Sequence, residues 1–181
     1  MLRSLSSNYL YAVGAAALAP ALAANGVLTS VELRGNKLGN EGWGAIFAAI
    51  CGNKDSKIMS MDASDENIGP AGVKLIAEAL RTSVTGSLTA LDLSSNNLKD
   101  EGVSAVCEAI QSNKETKLVS LNMGANSIGP VGAKSVAAMV AVTGTLMECD
   151  VSNNAMGEEG KASIRFAAQG KAGFNLHLDS L

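Results

Sequence analysis

The chain has 181 residues and a formal net charge of −3, and 47% of its residues are hydrophobic while only 3% are aromatic. Aliphatic side chains of this kind suit a thin, layered core, and the acidic balance argues against nucleic acid as a partner, because phosphate binding needs concentrated Lys and Arg. No apolar run reaches the roughly 18 residues that a membrane-spanning helix needs. We therefore expect a single domain or a short repeat array that binds neither nucleic acid nor a membrane.

The first 26 residues are basic, rich in alanine and free of acidic side chains, since the first acid is Glu32. This composition is typical of a targeting segment for a mitochondrion or another organelle. However, SLSSNYL at 4–10 repeats the pattern of DLSSNNL at 92–98, and Gly14 follows the first copy at the distance at which Gly102 follows the second. The repeat predicts that this segment is the strand and helix of a first structural unit, with the targeting segment as the alternative.

A strand template, LxxLxLxxNxL, recurs along the rest of the chain. It matches residues 28–38, 88–98 and 118–128, and more loosely 58–68 and 146–156. The asparagine position of the template holds, in chain order, Asn36, Glu66, Asn96, Asn126 and Asn154. A glycine lies four residues after the last apolar position of each copy, at Gly42, Gly72, Gly102, Gly132 and Gly160. Helical spacing of apolar residues follows each glycine, so each unit is predicted to contain one strand and one helix.

The last stretch, FNLHLDSL at 174–181, predicts one more strand with Leu176 and Leu178 pointing inward. This gives seven strands and six helices in a single repeat domain that covers 1–181. The predicted units are about 1–27, 28–57, 58–87, 88–117, 118–145 and 146–175, followed by the terminal strand 174–181. Alternate units are the most alike, because residues 38–57 resemble 98–117 and residues 68–80 resemble 128–140.

These motifs resemble the leucine-rich repeats of the ribonuclease-inhibitor type, which have units of 28–30 residues with a full helix in each. Ribonuclease inhibitor, the Ran GTPase-activating protein and the sensor domains of NOD-like receptors are of this type. The resemblance implies an α/β solenoid, a segment of a curved right-handed horseshoe with parallel strands on its concave face and helices on its convex face. A single strand–helix unit cannot bury its apolar side, so the units stack and share one core.

Three features depart from the repeat pattern. Glu66 stands where the other units have asparagine, methionine and alanine replace some of the leucines, and Pro20 lies within a predicted helix. Because an ionised carboxylate accepts hydrogen bonds but donates none, we expect Glu66 to turn to solvent and disturb the repeat locally. We expect Pro20 to bend its helix or to lie on the solvent side of it.

The residues between the inward leucines of each strand are predicted to face the concave hollow in columns. The central column is Glu32, Asp62, Asp92, Asn122, Asp150 and His177. The column before it is Ser30, Ser60, Ala90, Ser120, Glu148 and Asn175. The column after it is Arg34, Ser64, Ser94, Gly124, Ser152 and Asp179. The candidate partner-binding residues are Glu32, Arg34, Asp62, Asp92, Asn122, Glu148, Asp150 and His177.

Acids on neighbouring strands repel each other by roughly 1 kcal/mol per pair at about 5 Å in water. One interpretation is that the acidic row receives a cationic partner, which relieves this repulsion. The other is that aspartate between leucines is common in this type of repeat and that the row is solvated. At Asp62, Asp65 and Glu66 the acids are denser, which leaves a divalent-cation site as an alternative to a solvated cluster. The spacing of these three acids matches no dedicated metal-binding loop.

No residue pattern predicts catalysis. The only histidine is His177, which has no nucleophile motif beside it, and the glycines follow the repeat and not a phosphate-binding loop. We expect no cofactor and no resident metal. The three cysteines, Cys51, Cys107 and Cys149, lie far apart in apolar segments and are predicted to be reduced and buried. Trp43 is predicted to pack in the core or at its flank, with an exposed partner anchor as the alternative.

The sequence therefore predicts a non-enzymatic scaffold for protein–protein interaction, located in the cytoplasm, whose acidic concave face binds a protein with a basic surface. One alternative is a GTPase-activating protein like the Ran regulator, for which Arg34 is the candidate residue. Another is a structural subunit or fragment of a larger assembly that self-associates through uncapped repeat ends, as a homo-oligomer or a longer array.

Overall fold

A computed structural model describes the backbone of residues 2–179 and the side chains of residues 4–179, in which seven strands alternate with six helices. The strands are β1 (Leu2–Ser4), β2 (Ser30–Glu32), β3 (Ser60–Asp62), β4 (Ala90–Asp92), β5 (Ser120–Asn122), β6 (Glu148–Asp150) and β7 (Asn175–His177). The helices are α1 (Tyr11–Ala23), α2 (Gly39–Cys51), α3 (Pro70–Arg81), α4 (Lys99–Ser112), α5 (Pro130–Val142) and α6 (Gly157–Ala168). Within the described part of the chain, no helix is both long enough and apolar enough to cross a membrane.

The strands form one parallel sheet in chain order from β1 to β7. Each strand pairs with the same three positions of the next unit, as Ser30, Val31 and Glu32 do with Ser60, Met61 and Asp62. Successive helices pack side by side over the other face of the sheet. The predicted fold class is therefore confirmed: the molecule is a leucine-rich-repeat solenoid, with strands on the concave face and helices on the convex face.

The opening segment forms the first unit, as its repeat pattern predicts. β1 pairs with β2 in the common register, where Ser4 lies opposite Glu32. The backbone N–H of Asn8 donates to Oδ1 of Asn36 at 2.9 Å, in the manner of the later units. At the other end, Leu176 and Leu178 pack against the core and are half-buried. Met1, and Ser180 and Leu181 of the predicted terminal strand, lie outside the described residues.

The template asparagines join each unit to the one before it. Oδ1 of Asn154, for example, accepts hydrogen bonds from the backbone N–H groups of Asn126 and Ile128, both at 2.9 Å. Its Nδ2 donates to carbonyl groups, among them those of Met123 in the preceding unit and Val151 in its own. One amide therefore satisfies donors and acceptors that the turn after each strand would otherwise bury without partners.

The expectation for Glu66 is wrong, because its side chain is only 6% exposed. Its carboxylate takes the place of the asparagine amide and accepts backbone N–H groups from Asn36 at 2.5 Å and Leu38 at 3.0 Å. A third donor, Nε1 of Trp43, lies 3.1 Å from Oε2 of Glu66. The indole is fully buried, which confirms the prediction that Trp43 packs in the core. Glu66 and Trp43 are thus partners in one hydrogen-bond network.

The alternation of two unit types arises at the helix starts. Oδ1 of Asn40 accepts a hydrogen bond from the backbone N–H of Gly69 at 3.4 Å, and Oδ1 of Asp100 accepts one from Gly129 at 2.5 Å. A Cβ atom added to Gly132 would lie 2.7 Å from Oδ1 of Asp100, so only glycine fits beside this carboxylate. Units are therefore coupled in pairs, in which a side chain of the first binds the turn that opens the helix of the second.

Helix α1 contains Pro20, and this residue is exposed. The solvent-side position confirms one of the two placements expected from the sequence. A proline ring removes one N–H donor from the helix, and on this side water can bind the carbonyl group that loses its partner. The helix instead buries Ala15 and Leu22 against the second unit.

The three cysteines are free thiols, and all three are buried. Burial raises the pKa of Cys51 to about 11 and that of Cys149 to about 12. Burial also raises the pKa of Cys107, and the neighbouring Cys149 and Glu108 act in the same direction. The thiolate is the reactive form of cysteine. These side chains are therefore protected in two ways, because reagents cannot reach them and because their thiols stay protonated.

We expect the native protein to react very slowly with Ellman's reagent at pH 8. With a pKa of about 11, roughly one Cys51 thiol in a thousand is ionised at that pH, against about a quarter of unperturbed thiols. In urea all three thiols become reactive, and the native rate follows the rate of unfolding. A rapid reaction of one or more thiols in the folded protein, measured by absorbance before unfolding, would contradict the burial described here.

Candidate partner-binding face

The register of the sheet places the predicted central column in one row across the strands. Each member lies opposite the next along the paired strands, from Glu32 through Asp62, Asp92, Asn122 and Asp150 to His177. Five acidic side chains, Glu32, Asp62, Asp92, Glu148 and Asp150, line an open hollow of about 380 Å³. We call the central-column acids Glu32, Asp62, Asp92 and Asp150 the acidic row.

Three aspartates of the row also have a local structural role. Oδ1 of Asp62, Asp92 and Asp150 accepts the backbone N–H two residues ahead, at 3.0, 2.8 and 2.8 Å respectively. This turn explains why short acceptor side chains recur at the last residue of β3, β4, β5 and β6. Asn122 makes the same bond to the N–H of Gly124 at 2.9 Å, so the turn requires an acceptor but no charge.

The remaining candidate residues lie at the ends of the row. Nε2 of His177 is 3.3 Å from Oε1 of Glu148, whose other oxygen accepts a hydrogen bond from Ser120 at 3.0 Å. At the opposite end, Arg34 forms an ion pair with Asp65 at 3.7 Å, and both side chains are largely exposed. Exposed pairs of this kind contribute little to stability. The GTPase-activating alternative that depends on Arg34 stays a prediction.

The acids near Asp62 do not converge on a common point. Asp65 pairs with Arg34, whereas the Glu66 carboxylate is buried among the backbone donors of the preceding unit. Oδ1 of Asp62 accepts from both the N–H and the hydroxyl group of Ser64. Among the described residues, no group of three or more His, Cys, Asp and Glu side chains is arranged to hold a metal ion.

An exposed apolar strip lies beside the predicted columns and was missed by sequence reasoning. Met59, Val119 and Met147 occupy equivalent positions in their units and are 49%, 41% and 40% exposed. Thr29 and Thr89 hold the same position in the two units that carry no apolar residue there. We call Met59, Val119 and Met147 the apolar strip.

The backbone explains why these side chains are exposed. The N–H groups of Met59 and Ser60 both donate to the carbonyl oxygen of Thr29, at 2.8 and 3.3 Å. The same shared acceptor recurs in later units, where Val119 and Ser120 both donate to Thr89. Two consecutive residues therefore lie between the buried Ile58 and the buried Met61, and both are outside the core. The predicted columns begin at the second of these two residues and leave out the first.

A family model described as "Leucine Rich repeat" matches residues 24–47, 87–107 and 114–137. Together with the sheet and helix order, these matches show that the chain contains leucine-rich repeats. Assignment to the ribonuclease-inhibitor type stays a prediction. No curated protein matches the chain.

Among solved structures, one similar chain is "Leiomodin-1 Actin-Binding Site 2 (ABS2)", with a TM-score of 0.67 and 17% sequence identity. The similarity covers 82% of this chain and 84% of that chain. At this level of identity the similarity concerns the fold.

Proposed function

We propose that the chain is a non-enzymatic scaffold whose concave face binds a basic region of another protein. The observation that carries the proposal is the register of β2 to β6, which aligns four carboxylates across the sheet. The fold similarity to a leucine-rich-repeat domain named for actin binding supports a protein as the class of partner. That name describes the neighbour, and the partner proposed here is defined by its charge.

Electrostatics favour a cationic partner for this row. Neighbouring parallel strands lie about 4.8 Å apart, so Glu32, Asp62 and Asp92 hold three like charges at close spacing. Their repulsion is roughly 1 kcal/mol per pair in water and larger where solvent is partly excluded. A docked Lys or Arg side chain turns this repulsion into attraction, which raises the association rate and selects against acidic partners.

The test uses Asp62→Asn, Asp92→Asn and Asp150→Asn together. Asparagine keeps the turn acceptor, as Asn122 does, and removes only the charge. With a fluorescent deca-lysine peptide at low salt, we expect the triple variant to bind about tenfold more weakly, since each exposed charge pair contributes about 0.5 kcal/mol.

The matched control removes three exposed acids away from the concave face, by Glu41→Gln, Glu108→Gln and Glu115→Gln. This variant has the same net charge as the first and is expected to lose far less affinity. Equal anisotropy titrations for the two variants would reject the acidic row as the binding surface, because only the total charge would then matter.

A further inference from the structure

The small residues that precede the acidic row line the hollow together with it, and the apolar strip lies next to them along the chain, on the side away from the row. Between the apolar strip and the acidic row runs the column that precedes the row, and over β2 to β5 it consists of small side chains, Ser30, Ser60, Ala90 and Ser120. We call these four residues the floor. At β6 the column changes to Glu148, which is held by Ser120 and His177. We call this arrangement a channel: one wall is acidic, the floor is low, and the other wall is apolar at Met59, Val119 and Met147 and polar at Thr29 and Thr89.

The width of this channel matches that of a helix. A strip residue and the row residue of the same unit are three positions apart, as Met59 and Asp62 are, which corresponds to at most roughly 10 Å of extended chain. A helix with its side chains is about 10–12 Å across. Because the floor has no large side chain from β2 to β5, the helix backbone can approach the sheet over these strands while its side chains reach both walls.

The repeat distance also distinguishes a helix from an extended peptide. Side chains on one face of a helix recur about every 5.4 Å, close to the strand spacing of about 4.8 Å. Same-face side chains of an extended peptide recur about every 6.6–6.8 Å and lose register with the strands after two of them. A helix lying across the strands can therefore offer one side chain per strand to each wall.

Resting on the function proposed above, we propose that the occupant is an amphipathic, basic α-helix of a partner protein. Its apolar side chains lie on Met59, Val119 and Met147, and its Lys and Arg side chains lie on the acidic row. From β2 to β6 the row spans four strand intervals, roughly 19 Å, which a helix of about 13 residues covers. This partner buries the exposed apolar strip and neutralises the row in one contact.

A second copy of this chain does not fit the same description. Each of the six described helices carries at most two Lys or Arg residues, and α1 and α2 carry none. Four of the six helices, α2 to α5, each pack against two neighbouring helices, the one before and the one after in the chain. The basic helix is therefore expected to come from another protein.

The first experiment compares peptides. A labelled peptide of about 14 residues, made of leucine and lysine with the leucines on one helical face, is titrated against the full chain. Its comparison peptide has the same composition with leucine and lysine alternating, which favours an extended strand. We expect the helical peptide to bind at least about tenfold more tightly than the alternating peptide. We also expect its helical circular dichroism signal to increase on binding. Equal affinities, or no binding by the helical peptide, would overturn the inference.

The second experiment changes the walls one at a time. Met59→Gln, Val119→Thr and Met147→Gln together are expected to weaken helical-peptide binding about tenfold and to leave deca-lysine binding unchanged. The matched control replaces exposed valines on the convex side, by Val13→Thr, Val131→Thr and Val142→Thr, and is expected to bind like the unmodified chain. All replaced residues are exposed, so thermal unfolding should confirm that every variant folds.

The outcomes separate the two proposals. Each outcome refers to affinity for the helical peptide. If only the triple Asp→Asn variant of the acidic row loses affinity, the acidic face is supported as the binding surface and the amphipathic helix is rejected. If only the strip variant loses affinity, the proposed binding of a basic region fails. If neither loses affinity, both are wrong. Loss in both variants, with both controls unaffected, supports the channel as the site of a basic amphipathic helix.

Discussion

Replacing Glu66 by alanine is expected to lower the free energy of unfolding by about 4 kcal/mol. The substitution removes the acceptor for three donors at once, the backbone N–H groups of Asn36 and Leu38 and the indole of Trp43. Each buried donor left without a partner costs about 1–3 kcal/mol, and water that enters the space offsets part of this. Urea unfolding, followed by circular dichroism and by the fluorescence of Trp43, measures the loss.

Two further variants separate the roles of this carboxylate. Glu66→Asn restores the residue of the other units, whose amide can accept the two backbone N–H groups as Asn96 does from Glu66 and Ile68 at 3.1 and 2.9 Å. It is too short to reach the indole as well, so we expect a loss of about 2 kcal/mol. Trp43→Phe removes the third donor, and the two changes together are expected to cost less than their sum. Full additivity, or a loss below about 1 kcal/mol for Glu66→Ala, would contradict the network.

Asn126→Ala is expected to cost about 3 kcal/mol. The side chain is completely buried, its Nδ2 donates to the carbonyl groups of Leu93 and Gly124 at 2.8 and 3.1 Å, and its Oδ1 accepts from Leu98 at 3.3 Å. Removing the amide leaves polar backbone groups buried on both sides of the contact between two units. The same urea titration applies.

The first unit supplies a control for this prediction. Asn8 occupies the equivalent position, but it is exposed, and its amide donates to carbonyl groups of its own unit at Leu5 and Ser6. Water can replace those bonds, so Asn8→Ala is expected to cost less than about 1 kcal/mol. Equal losses at Asn8 and Asn126 would mean that the amide acts within its own turn and not between units.

The fold could be predicted from the sequence because each unit repeats the same contacts. Leucine spacing sets which residues point inward, and asparagine at a fixed position sets the turn, so registers such as Ser60 with Ala90 follow from counting. The same counting puts Glu32, Asp62 and Asp92 in one row before any coordinate is known. Regularity made the prediction possible even where individual leucines are replaced.

Features that depend on irregular backbone or on pairs of residues were not accessible in the same way. The prediction that Glu66 is exposed takes its carboxylate without neighbouring donors, whereas the indole N–H of Trp43 in the preceding unit donates a hydrogen bond to it. The apolar strip was missed because only the second of the two residues between Ile58 and Met61 was assigned to a column, whereas the first, Met59, is outside the core as well. A signal was present for both: tryptophan and glutamate depart from the pattern in adjacent units, and two residues, not one, separate Ile58 from Met61.

The bonds from Asn40 to Gly69 and from Asp100 to Gly129 have a consequence for how such a molecule can lengthen or shorten. The equivalent positions lie 60 residues apart, since 100 − 40 and 129 − 69 are both 60. Loss or duplication of a single unit would bring a side chain against a loop that is not shaped to receive it. Gene changes that add or delete two adjacent units together keep every junction intact. We therefore expect such a molecule to lengthen or shorten by 60-residue pairs of units.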